Sequence, residues 1–168
     1  NKYPPLYNAY RTIEWWKRQK LACDETGQDY IMIMEDDVWI KDSFKIDPPF
    51  ALRGIRYGDP LKPKMLEAIK YNSDLEANMY GMCGGSIYNA KIFNLIYDDV
   101  IKDIRDNMDK LLEEDYNEWY LLGAVDANIT YHFNKRGYKY EAAHWLVEAF
   151  KEGNLDDYPA IHQWKEHY

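Results

Sequence analysis

Cysteine is scarce in this sequence, and long apolar runs are missing from it. Cys23 and Cys83 are the only cysteines in 168 residues, which are too few for a disulfide-stapled domain and lack the spacing of a zinc site. The wholly apolar stretches are only a few residues long, as at 31–34, and no signal-like run follows Asn1. These absences predict a reducing, cytoplasmic location and no membrane segment in this chain.

Basic residues are in the minority, which bears on the expected partners. The chain has 21 Lys and Arg residues against 29 Asp and Glu residues, a net charge of −8 at pH 7. Binding to a phosphate backbone depends on clustered positive charge, so DNA and long RNA are not expected partners. In contrast, 46% of the residues are hydrophobic and 16% are aromatic, which predicts one folded domain over residues 1–168.

Hydrophobic periodicity predicts an α/β fold. The predicted helices are at residues 6–22, 63–71, 91–114, 116–122 and 126–136. The apolar stripe of the helix at 91–114 comprises Ile92, Leu95, Ile96, Val100, Ile104, Met108 and Leu111. The predicted strands are at 30–34, 80–88 and 138–143, and a long irregular loop is predicted at 41–64. Because the run at 30–34 is apolar throughout, it predicts a strand that is buried on both faces.

An acidic triplet, Glu35-Asp36-Asp37, directly follows the predicted strand at 30–34. In open α/β sheets, ligands bind in the crevice at the carboxyl ends of the strands, and carboxylates there can hold Mg²⁺ or Mn²⁺ against the phosphates of a nucleotide. A solvated acidic turn is the simpler interpretation of any one cluster. Since only this triplet ends a predicted buried strand, its position favours metal binding.

Two glycines interrupt the predicted strand at 80–88. Gly84-Gly85 marks either a packing bulge or a place where another molecule approaches the backbone closely. The spacing of these glycines does not match a phosphate-binding loop or a dinucleotide fingerprint.

Asp126 and two histidines are the remaining candidates. Asp126 begins the predicted helix at 126–136, where it would serve as an N-cap or, if exposed at a cleft, as a general base. His162 and His144 are competing metal ligands, whereas His132 fits a structural role on the helix. Asn128-Ile129-Thr130 formally matches a glycosylation sequon inside the same predicted helix.

Taken in order, these motifs resemble the GT-A-fold glycosyltransferases, including family 2-like and related inverting enzymes. The resemblance rests on Tyr30-Ile-Met-Ile-Met-Glu-Asp-Asp37-Val-Trp, then Gly84-Gly85-Ser86-Ile-Tyr-Asn-Ala-Lys-Ile-Phe93, then Asp126 ahead of Asn134-Lys-Arg-Gly-Tyr-Lys139. It covers residues 7–144 and depends more on the order and spacing of the motifs than on any one of them. It implies a Rossmann-like mixed sheet flanked by helices.

The resemblance also implies a role for each acidic candidate. Asp37 and Asp36 would hold Mn²⁺ or Mg²⁺ together with His162, and Glu35 would lie toward the ribose of the nucleotide. In one alignment Glu35 and Asp37 form the acid motif. In the other, Met34 replaces the first acid of the motif and Asp36 becomes the metal ligand.

The remaining implied roles concern the sugar donor and the reaction. Gly84 and Gly85 would contact the donor, and Asp126 would be the general base of an inverting displacement. The chain departs from the family pattern near this residue, because Val125 replaces the first acid of a pair and His132 replaces an arginine.

These roles predict a metal-dependent hexosyltransferase that moves a sugar from a nucleotide-diphosphate sugar to a glycan or another hydroxyl acceptor. A sugar nucleotidyltransferase and a non-catalytic acidic module that binds a glycan or a protein are the alternatives. The GT-A fold normally opens with further β/α units that bind the base and ribose, and only one predicted helix precedes the strand at 30–34. We therefore expect an amino-terminally incomplete glycosyltransferase domain.

Overall fold

The computed structural model describes residues 5–54, 85–112, 125–148 and 155–162. The α-helices of these residues are α1 (Pro5–Thr26), α2 (Ala90–Asp106) and α3 (Val125–Lys135). The strands are β1 (Tyr30–Met34), β2 (Val38–Ile40), β3 (Leu52–Gly54), β4 (Gly85–Asn89), β5 (Tyr140–Ala142), β6 (Leu146–Glu148) and β7 (Ala160–His162). Short 3₁₀ turns span Met108–Leu112 and Leu155–Asp157. The helices predicted at 63–71 and 116–122 lie outside the described residues.

The first sheet is mixed. Its strand order is β1-β4-β3-β5, with β4 antiparallel to both of its neighbours and β3 parallel to β5. Mixed sheets with helices confirm the predicted α/β class. β3 lies inside the segment at 41–64 that the sequence predicts to be a loop. The prediction missed this strand because three residues are too few to show a measurable period.

β1 does not match the prediction of a strand buried on both faces. Among the described strands it lies at the edge of its sheet, all five of its residues are at least partly exposed, and Met32 is 40% exposed. An apolar run is compatible with burial on both faces, but it does not show how many strands or layers cover the strand. That part of the prediction is therefore wrong.

The helices contribute to an apolar core on one face of the first sheet. Trp16 of α1 stacks on Phe93 of α2 with the ring centroids 4.6 Å apart, and the ring of Tyr88 in β4 lies 4.8 Å from that of Phe93. Ile129 and Phe133 of α3 are fully buried in the same core. Large aromatic rings bury much apolar surface, so this contact fixes α1 and α2 on the sheet.

The second sheet packs against the opposite face. Its strand order is β2-β7-β6, with β7 antiparallel to β2 and parallel to β6. Side chains alternate along a strand, so Ile87 of β4 points away from Tyr88. The core around Ile87 comprises the buried residues Phe50, Ala143, Trp145, Leu146 and Ala160. The first sheet therefore lies between a layer of helices and a second, smaller sheet.

The helix predicted at 91–114 is confirmed in its first part and corrected at its end. α2 begins after Asn89, whose side chain accepts a hydrogen bond from the backbone N–H of Ile92 at 3.1 Å. It ends at Asp106, because Asn107 leaves the helical conformation with φ −108° and ψ 2°. Most of the predicted stripe faces the core, but Leu95 is 70% exposed, so its assignment to the stripe is wrong.

Glycine is required at position 85 by a close approach between two strands. Gly85 pairs with Met34, and a Cβ atom at position 85 would lie 2.8 Å from the carbonyl oxygen of Ile33. Backbone atoms in a sheet cannot turn aside as the end of a side chain can. This contact accounts for one of the two glycines by packing within the sheet, whereas Gly84 lies outside the described residues.

We expect Gly85→Ala to lower the free energy of unfolding by about 3 kcal/mol, because the added methyl group overpacks the β1–β4 contact. Gly27→Ala is the matched control. Gly27 has a φ of 60°, but no described atom lies within 4 Å of a Cβ built there, so we expect a loss of about 1 kcal/mol from backbone strain alone. Urea unfolding measures both values, and equal losses would contradict the close-approach explanation.

Candidate metal centre

A tight turn carries the acidic triplet from the first sheet to the second. β1 ends at Met34 and β2 begins at Val38, and the backbone N–H of Val38 donates to the carbonyl oxygen of Glu35 at 3.2 Å. This bond closes a four-residue turn at the carboxyl end of β1. The turn therefore lies at the strand end that the sequence predicts.

His162 is brought to this turn by strand pairing. β7 runs antiparallel to β2, and His162 is paired with Val38, the residue that follows Asp37. The Nε2 atom of His162 lies 3.2 Å from Oε2 of Glu35 and 3.3 Å from Oδ1 of Asp37. One ligand atom from each of the three residues lies within 4.8 Å of the others. We call these three residues the metal triad.

Burial is graded across the metal triad. The side chain of His162 is 2% exposed, that of Asp37 is 18% exposed and that of Glu35 is 46% exposed. Oδ1 of Asp37 is buried and has no hydrogen-bond partner among the described residues. The triad is therefore closed on the His162 side and open to solvent on the Glu35 side.

The donor set of the triad suits a divalent cation. A buried carboxylate oxygen is costly to leave without a partner, and two carboxylates beside one imidazole need a positive charge, either a proton on the ring or a cation. Carboxylates suit Mg²⁺ and Mn²⁺, whereas imidazole suits later transition metals. Three protein ligands would leave further coordination positions for water or another ligand.

Asp36 and His144 lie differently from the triad. Asp36 occupies the same turn, but its side chain is exposed and is not part of the triad. His144 is exposed in the short connection between β5 and β6. Of the alternatives that the sequence leaves open, the structure brings together Glu35, Asp37 and His162. The sequence places Glu35 toward a ribose, and only the register of β7 reveals its proximity to His162.

Asp126 lies in the first turn of α3. The helix predicted at 126–136 is confirmed as Val125–Lys135, and Gly137 after it has a φ of 83°, the left-handed conformation expected past a helix end. Because Val125 before it is already helical, Asp126 lies inside the helix and is not its N-cap. The side chain of Asp126 is outside the described part of the structure.

α3 is held firmly by its surroundings. The residues at 128–134 are all buried, and the indole N–H of Trp16 donates to Oδ1 of Asn128 at 2.7 Å. The backbone that carries Asp126 is therefore continuous with a fixed, buried helix. Asn128 is fully buried and its side chain accepts this hydrogen bond. Because its side chain is inaccessible, the sequon match at 128–130 is not a glycosylation site of the folded chain.

A charge cluster joins the other end of α3 to α2. Oδ2 of Asp103 accepts hydrogen bonds from Lys135 at 3.0 Å and from Arg136 at 2.7 Å. Burial raises the pKa of the Asp103 carboxyl, but the hydrogen bonds and charges of these two cations outweigh it and hold the pKa below its usual value. Arg136 also lies 3.0 Å from Nδ1 of His132, which is fully buried. The structural role predicted for His132 agrees with this position.

We expect His162→Gln to weaken Mn²⁺ binding by at least about 100-fold, because the change removes a ligand and even the loss of an outer-shell partner costs 10–100-fold. His144→Gln is the matched control and is expected to bind Mn²⁺ as the native protein does. Calorimetric titration with Mn²⁺ measures both, and circular dichroism verifies that each variant is folded. Asp37→Asn is expected to weaken binding in the same way as His162→Gln.

Unchanged Mn²⁺ binding by folded His162→Gln and Asp37→Asn would contradict the metal triad. Equal weakening by the two histidine substitutions would contradict the choice of His162 over His144.

No protein-family model matches this chain, and no curated protein matches it either. In the described part of the chain, none of the helices is both long enough and apolar enough to cross a membrane. The chemistry of Glu35, Asp37 and His162 is therefore the basis on which a function can be proposed.

Proposed function

We propose that this protein is a metal-dependent glycosyltransferase of the GT-A fold, with the metal triad as its metal centre. The proposal depends on one observation, the meeting of Glu35, Asp37 and His162 at the carboxyl end of β1. An ordinary solvated acidic turn needs no buried imidazole between its carboxylates. Here a histidine from the last described strand reaches the turn, which supports metal binding over a solvated turn.

The position of the triad supports a role in binding a nucleotide. The triad lies at the carboxyl end of β1, and its Glu35 side is open to solvent, so a ligand can approach it from there. A cation held by three protein ligands keeps coordination positions for the oxygens of a diphosphate. The α/β fold and the order of the sequence motifs are consistent with this role.

The histidine in the triad favours Mn²⁺ over Mg²⁺ as the cation. Mg²⁺ prefers oxygen ligands in a strict octahedron and retains its water, whereas divalent transition metals bind imidazole nitrogen well. Because one of the three ligand atoms is Nε2 of His162, we expect the protein to bind Mn²⁺ more tightly than Mg²⁺.

In the proposed reaction, an acceptor hydroxyl attacks the anomeric carbon of the donor sugar, and the bond from that carbon to the nucleotide diphosphate breaks. A bound cation supplies Lewis-acid stabilisation of the departing diphosphate. Glu35, Asp37 and His162 would hold the cation. Asp126 accepts the proton of the attacking hydroxyl as the general base, so the single displacement inverts the anomeric configuration.

We expect Asp126→Asn to reduce sugar transfer by about 10²–10⁴-fold, the usual contribution of a general base, while donor binding changes less than about threefold. Release of nucleoside diphosphate from a panel of nucleotide sugars measures transfer. Calorimetry with Mn²⁺ and the matching nucleoside diphosphates measures binding. Asp98→Asn is the control, because Asp98 is an exposed residue of α2, and we expect it to leave both quantities unchanged.

Other results of the transfer and binding assays would favour other functions. Unchanged transfer by Asp126→Asn would assign Asp126 to a role in the helix. Formation of a nucleotide sugar from a sugar phosphate and a nucleoside triphosphate would favour a nucleotidyltransferase. If Mn²⁺ promoted no nucleotide binding, the glycosyltransferase proposal would fail and a non-catalytic glycan-binding or protein-binding module would be favoured.

A further inference from the structure

The second sheet depends on its middle strand. β7 pairs with β2 on one side and with β6 on the other, and β2 and β6 are not paired with each other in the described part of the chain. Each of the two ladders is only three residue pairs long, and such short ladders are weak when isolated. If β7 detaches, both ladders are lost together.

The two ends of β7 are held by different interactions. At its start, the backbone N–H of Ala160 donates to the carbonyl oxygen of Trp145 at 2.9 Å. The backbone N–H of Lys41 donates to the carbonyl oxygen of Pro159 at 2.8 Å. The side chain of Ala160 is fully buried between the sheets, but it contributes only a methyl group to that core. At its other end, His162 faces Glu35 and Asp37.

The contacts at the His162 end bring charge together. The carboxylate oxygens of Glu35 and Asp37 lie within 4.8 Å of each other beside Nε2 of His162, and like charges at this distance repel one another unless a positive charge lies between them. A cation bound to all three ligands replaces this repulsion with attraction. It does so only while β7 is docked, because His162 is part of that strand.

We propose that the divalent cation holds the second sheet together, so that β7 with its two neighbours forms a unit whose local stability is set by the metal. This inference rests on the metal triad of the proposed function but not on sugar transfer. The turn at 35–37 joins the sheets covalently, and the cation joins them a second time through His162. Binding of the cation and docking of β7 therefore stabilise one another.

The coupling between cation binding and docking of β7 determines how strongly the cation suppresses opening of β7. A ligand that binds only the docked state lowers the opening equilibrium by a factor of one plus the ratio of free ligand to Kd. At a Mn²⁺ concentration of about 100 times Kd, opening of β7 is suppressed about 100-fold. Local openings that leave the metal triad intact are not affected.

Hydrogen exchange of the full chain, measured by mass spectrometry with chelator and then with Mn²⁺, tests this inference. Without the cation, we expect amides of β2 and β7 to exchange faster than those of β4. With Mn²⁺ at about 100 times Kd, their exchange is expected to slow by up to about 100-fold. The C-terminal turn of α2 is the internal control, because none of its residues belongs to the second sheet or to the metal triad, and its exchange is expected to remain the same.

His162→Gln is expected to abolish the slowing by Mn²⁺, and His144→Gln is expected to retain it. If calorimetry detects Mn²⁺ binding but exchange in β2 and β7 does not change, the inference is overturned while the metal triad stands. Protection of β2 and β7 equal to that of β4 in chelator also overturns it, because the second sheet then opens only with the whole domain. If Mn²⁺ does not bind, both this inference and the proposed function fail.

Discussion

The antiparallel pairing of β2 with β7 is the interaction on which the candidate site depends. It sets Val38 opposite His162 and so places one buried imidazole beside two carboxylates of the adjacent turn. A shift of this register by one residue would turn the imidazole to the other face of the second sheet, because side chains alternate along a strand. The site is therefore a property of the pairing between distant segments, and the acidic turn alone does not create it.

The layered fold gives this pairing a firm support. One face of the first sheet is covered by helices with a core of stacked aromatic rings, and the other face is covered by the second sheet. The turn at 35–37 crosses from one sheet to the other at the carboxyl end of β1. Charged groups at that point are partly withdrawn from water, which strengthens their interaction with a cation. The same withdrawal makes an unpartnered carboxylate oxygen costly, so the site favours a bound positive charge.

Local sequence patterns were sufficient for part of this description. The α/β class, α1 and α2 follow from apolar periods that are long enough to measure, and the acidic triplet is visible because it directly ends an apolar run. Shorter features were not predictable in the same way. β7 has three residues and no period, and its partner β2 is far away in the sequence. The surroundings of β1 were misjudged because an apolar run does not report the strands beside it. Leu95 was misjudged because periodicity does not define where the buried face of a helix ends.

Crystallography with manganese tests most directly whether Glu35, Asp37 and His162 together bind a divalent cation. Crystals grown or soaked with Mn²⁺ and a nucleoside diphosphate would be measured near the manganese absorption edge. We expect an anomalous peak about 2.0–2.5 Å from Nε2 of His162 and from a carboxylate oxygen of both Glu35 and Asp37, with a phosphate oxygen among the other ligands. A peak bound by Asp36 or His144 instead, or a nucleotide bound without a metal peak at the triad, would contradict this expectation.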